Sequence, residues 1–222
     1  PFAMVVSLVN PHDVLAYPLT WGEGDPTEFF GYSEEMIKGD ITILPPTVNE
    51  PITGSLTAEG YNFSGNYKPQ IQREWLRAQP LAQPLPTDQL KLNYLNFYGN
   101  LMKIADSQMG EVIKALDSKG QINNTMFVST ADHGEMGMSH GGMVQKMFNA
   151  YEESIKVPLI WSNPRYFKGG QKSEALVSHV DFLSTVANFY GATKENISNY
   201  DLRGVDYSSI LERAASKSSL NH

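Results

Sequence analysis

The chain has 222 residues, 41% hydrophobic and 18% charged, which suits one good-sized globular domain or part of a larger one. A net charge of −7 argues against a nucleic-acid or anionic-membrane surface, because phosphate-binding proteins carry a basic patch. With no cysteine, these residues can form no disulfide, thiolate metal site or Cys nucleophile, and no apolar run approaches the roughly 20 residues that span a bilayer.

The chain opens abruptly on PFAMVVSLVNPHD. Met4 to Val9 reads as a strand buried on both faces and stopped by Asn10-Pro11, the edge of a core whose N-terminal partner sequence is expected elsewhere. His12 then falls in the loop past the strand's end. From Asp13 to about Gln89 the text is irregular, with Pro45-Pro46 and scattered aromatics, and is predicted to be a loop-rich insertion. A long helix follows: Leu90, Tyr94, Phe97, Leu101, Ile104, Met109, Ile113 and Leu116 keep close to the helical period, and Gly120 marks its stop. Asn124 to Thr130, Val157 to Ser162 and Glu174 to Val180 read as strands. DFLSTVANFYG reads as a helix with Asp181 at or near its N-cap and Gly191 past its end. This alternation predicts an α/β layered sheet.

Ligands of such sheets bind outside the carboxyl ends of the strands, which singles out NPHD and ADHGEMGMSHGG. Asp132 and His133 are adjacent, so in a continuing strand they would face opposite sides. They can reach one ion only if the backbone bends, which Gly134 eases. Carboxylate plus imidazole is half of a divalent metal site or, alternatively, a polar turn. Oxygen ligands suit calcium or magnesium, and the nitrogen favours manganese or zinc. Lys146 could hold an anion or be a solvated surface lysine. His140 could line the same loop or support it from behind. His12 could protonate a departing oxygen or simply pair with Asp13, and His179 reads as structural.

In combination, SLVNPHD, YLNFYGNLMKIADSQMGEVIKAL, NTMFVSTADHGEMGMSHGGMVQK, YEESIKVPLIWSNP, VSHVDFLSTVANFYGA and DLRGVDYSSIL occur in the order found in sulfatases of the alkaline phosphatase superfamily. The resemblance covers nearly the whole chain outside Pro18 to Gln89. It implies that residues 1–222 are the C-terminal portion of a single sulfatase-type catalytic domain, with an insertion at about 18–89. The implied fold is α/β, with a mixed, largely parallel sheet sandwiched between helices, incomplete in this chain. The implied chemistry is hydrolysis of a small-molecule or saccharide sulfate ester with one divalent metal, most often Ca2+ and, given His133, alternatively Mn2+ or Zn2+. By motif match Asp132 and His133 would be the late metal ligands, Lys146 would bind sulfate oxygens, and His12 would meet the leaving group.

The stretch from His140 to Lys146 is about one residue longer than the family pattern. The formylglycine motif Cys/Ser-X-Pro-X-Arg is absent. SNPRY comes near it, but Arg165 stands one position too early. The nucleophile and the early acidic ligands are therefore expected upstream of Pro1, and residues 1–222 alone are expected to be inactive. Two alternatives stand beside this reading: a phosphodiesterase or phosphonate monoester hydrolase of the same superfamily, and a catalytically silent binding module. Part of the substrate wall is expected in the insertion, with Trp21, Tyr32, Tyr61 and Trp75.

Overall fold

The computed structural model describes residues 3–17, 32–50, 56–57, 60–61, 69–82, 85–193, 195 and 200–219. They divide into two compact units. The first comprises Pro1–Ala115 and Ser129–Leu159, and the second Leu116–Val128 and Ile160–His222.

The first unit is organised by the long helix α2 (Asp88–Ser118). Its start is capped by Thr87, whose hydroxyl accepts the Leu90 N–H at 3.2 Å. Tyr94, Phe97 and Leu101, spaced for one helix face, are fully buried, and burying Phe97 and Leu101 stabilises the fold by about 2 kcal/mol each. They join Val14, Tyr17, Val48, Met138 and Val144 in one core. Tyr17 and Tyr94 meet edge to face at 5.7 Å, as do Tyr32 and Phe97 at 5.5 Å. Beyond Ala105 the predicted apolar face is not buried, and Ile113 is exposed.

The insertion is more regular than its sequence suggests. A two-residue antiparallel ladder joins β1 (Leu56–Thr57) to β2 (Gly60–Tyr61), with Leu56 opposite Tyr61. Helix α1 (Gln70–Ala82) follows. Its buried stripe is Gln72, Arg73, Leu76 and Gln79, largely polar, which is why hydrophobic periodicity misses the helix. Trp21 lies outside the described residues.

Strands β3 (Phe127–Thr130) and β4 (Leu159–Ser162) pair with each other, shorter than predicted but in the predicted places. Two predicted strands are absent. Residues 3–9 are irregular, with Val5 91% exposed, and residues 174–178 form no strand, with Leu176 wholly exposed. An apolar run becomes a strand only when another strand takes its backbone N–H and C=O groups, and among the described residues neither run is paired.

In the second unit, helix α3 (His179–Phe189) begins earlier than predicted. Ser178 is the N-cap, and Asp181 closes the first turn from inside the helix: its carboxylate accepts the Ser178 N–H at 2.8 Å and the Val205 N–H at 2.7 Å. The predicted stops hold, since Gly120 and Gly191 adopt φ +64° and +76°. Helix α4 (Ser208–Ser219) packs on α3, and Trp161 meets Phe182, Phe189 and Tyr207 at 5.6 to 6.0 Å. SNPRY is a structural turn. Buried Asn163 donates to the carbonyls of Asn123 and Thr125 and accepts from the N–H groups of Arg165 and Tyr166.

Candidate functional site

β3 ends at Thr130, and the chain bends at once, so Asp132 and His133 converge rather than face opposite sides. Asp132 Oδ1 accepts the His133 N–H at 2.9 Å, and its Oδ2 lies 3.2 Å from His133 Nε2. His133 Nδ1 sits 3.0 Å from the Gly134 carbonyl. A carbonyl only accepts, so Nδ1 carries the proton, and in a neutral ring Nε2 presents its lone pair to the carboxylate. Nε2 and Oδ2, 3.2 Å apart, are then two electron-pair donors side by side. The donors therefore fit half of a divalent site, with a backbone acceptor orienting the imidazole as metal-bound histidines require. Among the described residues no group of three or more His, Asp or Glu side chains could hold a metal ion.

Gly134 is required by close approach. Its N–H donates to Ser154 O at 2.9 Å, and a Cβ there would lie 1.9 Å from Glu153 O. This contact fixes the Asp-His bend against the helical turn Glu152–Ile155.

Glu135, which the sequence reading passed over, organises the rest of the loop. Its Oε1 accepts from Tyr94 Oη at 2.9 Å, the Gln145 N–H at 2.8 Å and the Gly137 N–H at 3.3 Å. Burial pushes this carboxyl above the usual range, against the pull of those donors and of the nearby Lys146 ammonium. The backbone closes in parallel, with Met136 N–H on Gln145 O at 3.1 Å and Met138 N–H on Met143 O at 2.8 Å. From α1, the Gln79 amide accepts the Val144 N–H and donates to Gly142 O. A tyrosine at a fully buried helix position was the available signal, because its hydroxyl needs a partner.

Lys146 leaves this braced loop half-buried, and among the described residues its ammonium makes no hydrogen bond or ion pair. His140 makes no contact of that kind with Asp132 or His133. Its Nδ1 is 3.2 Å from Glu50, its Nε2 is 3.3 Å from Glu153, and its ring stacks on Tyr151 at 3.9 Å. These contacts brace the insertion against the helical turn. His12 opens a 3-10 turn, His12–Ala16, with Nδ1 3.7 Å from Asp13, too long for a hydrogen bond. Its imidazole is exposed. No hydrogen bond or ion pair joins it to Asp132, His133 or Lys146, yet Val14 and Tyr17 of its segment share a core with Met138 and Val144 of the lysine loop.

Backbone strain concentrates here. Of five non-glycine residues with positive φ among the described residues, Met138, His140, Gln145 and Phe148 lie in this loop.

A family model, Sulfatase, matches residues 1–192. Among curated relatives, arylsulfatase K of Xenopus laevis is 36% identical over 107 residues, 48% of this chain and 19% of that protein. The N-acetylglucosamine-6-O-sulfatase of Bacteroides thetaiotaomicron is 29% identical over 119 residues, 54% of this chain and 20% of that protein. The chain thus spans about a fifth of the length of these relatives. A crystal structure of a putative sulfatase from B. thetaiotaomicron superposes with TM-score 0.67 over 92% of this chain and 40% of that one, at 21% identity. The phosphonate monoester hydrolase SpPMH from Silicibacter pomeroyi gives TM-score 0.51 over 58% of this chain and 24% of that one, at 29% identity. The fold is accordingly the alkaline phosphatase-like α/β architecture, incomplete here. With the family pattern matched over residues 1–192, the chain belongs to the sulfatase family.

Proposed function

We propose that the protein is a metal-dependent sulfuric ester hydrolase and that this chain supplies the late half of its active site. The observation that carries the reading is Lys146, a half-buried ammonium with no hydrogen bond or ion pair among the described residues, at the end of a loop that begins with the convergent Asp132–His133 pair. Asp132 and His133 would hold the cation, Ca2+ in the first instance, with Mn2+ or Zn2+ favoured by the imidazole nitrogen. When bound, a divalent ion neutralises charge on the sulfuryl oxygens and on an attacking oxygen. Lys146 adds a fixed positive charge to the non-bridging sulfate oxygens as the ester bond weakens. His12 gives a proton to the departing oxygen. Asp13, the next residue, accepts from Tyr32 at 2.6 Å. The nucleophile, a formylglycine in this reading, and the remaining acidic ligands are assigned to sequence outside these residues.

Sulfate release from an aryl sulfate by the full-length protein tests the proposal. Lys146→Ala is expected to lower kcat/KM by about 100- to 1,000-fold. No release by the parent, or an unaffected variant, overturns the assignment. Residues 1–222 alone should bind Ca2+ or Mn2+ weakly and turn over nothing, and the binding should fade in Asp132→Asn, as followed by calorimetric titration. A second reading, phosphonate or phosphate ester hydrolysis, is favoured by the likeness to SpPMH. Higher kcat/KM on a phenyl phosphonate monoester than on phenyl sulfate would select it.

A further inference from the structure

Two residues past Lys146, Phe148 combines three features that stability does not explain. Its backbone is left-handed at φ +56°, a conformation that strains a bulky residue. Its side chain is 49% exposed, leaving apolar area in water that an ordinary core position would bury. Its ring is nonetheless held in place: Trp75 of α1 meets it edge to face at 5.9 Å and 73°. Trp75 itself packs on the Leu76, Met136 and Met143 cluster, which ties α1 to the lysine loop. Asn149 fixes the turn beyond, donating to Met147 O at 3.2 Å and accepting the Tyr151 N–H at 3.2 Å. The result is a supported aromatic face, half exposed, two residues along the chain from an ammonium that makes no hydrogen bond or ion pair among the described residues.

We infer that Phe148 is a specificity-determining residue, a platform for the flat apolar face of a ring that carries the sulfate ester. This rests on the assignment of Lys146 as the sulfate contact. An ammonium gripping the sulfuryl oxygens and an aromatic face beside it select an ester whose leaving group is an aryl or saccharide ring over one with a short alkyl chain. The left-handed backbone is then the means of turning an aromatic side chain outward from a loop whose neighbours, Met143 and Val144, are buried.

Calorimetric binding to the full-length protein tests this with four probes: inorganic sulfate, methyl sulfate, phenyl sulfate and glucose 6-sulfate. Phe148→Ala should weaken phenyl sulfate, glucose 6-sulfate or both by about three- to tenfold. Inorganic and methyl sulfate should stay within about twofold, and Phe148→Trp should restore the ring probes. Which ring probe responds identifies the leaving group as aryl or saccharide. Equal weakening of all four probes, weakening of none, or ring esters that bind the parent no better than inorganic sulfate would overturn the inference. Phe148→Gly relieves the backbone and should melt no lower than the parent; a fall as large as that of Phe97→Ala would assign the ring to packing and overturn it as well. Lys146→Ala separates the two claims. If it leaves inorganic sulfate binding unchanged, the lysine assignment fails, whereas the platform stands or falls on the ratio of ring to methyl ester affinity.

Discussion

The segments that leave β3 and β4 begin alike, each a polar run after an apolar strand, and they end as opposites. After β4, Asn163 satisfies two carbonyls and two N–H groups, it is 2% exposed, and no residue of the turn has positive φ. After β3, four non-glycine residues are left-handed, a carboxylate is half-buried, an ammonium makes no hydrogen bond or ion pair among the described residues, and a phenyl ring faces water. The first segment uses its buried amide on its own turn and on the backbone that leads into β3. In the second, strain is held by the packing of Met136, Met138, Met143 and Val144. Position after a strand nominates a site, and charge without a hydrogen bond together with tolerated strain makes the loop after β3 the stronger candidate.

Substitutions can break this contrast. The largest effect is expected from Lys146→Ala, which should cost about 100- to 1,000-fold in kcat/KM at a nearly unchanged melting temperature, since among the described residues the ammonium makes no hydrogen bond or ion pair. Next is Glu135→Ala. It strands the Tyr94 hydroxyl and two N–H groups and should cost about 3 kcal/mol by urea unfolding. Glu135→Gln keeps an acceptor oxygen and should recover most of that loss; failure to do so would show that the charge, and not the acceptor, closes the loop. Asn163→Ala should cost about 2 kcal/mol without altering sulfate binding, as befits a turn with only structural work. Asp132→Asn should be the mildest for folding, because its side chain is 83% exposed, and its effect should appear only in cation titration. A stability loss in Asp132→Asn matching that of Asn163→Ala would erase the distinction.

Local pattern made much of this legible. Helix hydrogen bonds are made within a segment, so the spacing of Tyr94, Phe97 and Leu101 was sufficient to locate α2, and DFLSTVANFYG located α3 to within two residues at its start. The position of Asp132 and His133 just past β3, and of Lys146 farther along the same loop, was equally visible. Met4 to Val9 has the composition of a strand but not the pairing, because a strand's hydrogen bonds belong to a neighbour that the segment cannot specify.

The sequence by itself thus determined the family pattern, the helices α2 and α3, and the charged residues of the loop that follows β3. Only the tertiary structure decided what those charges lie against. The Asp132–His133 convergence depends on Gly134 lying against Glu153, and His140 is drawn to Glu50 across 90 residues of chain. The lysine loop closes on a carboxylate that lies against Tyr94 of α2. Each of these is a non-local contact in which packing outweighs local preference, holding methionine, histidine, glutamine and phenylalanine in a backbone conformation that their own sequences disfavour.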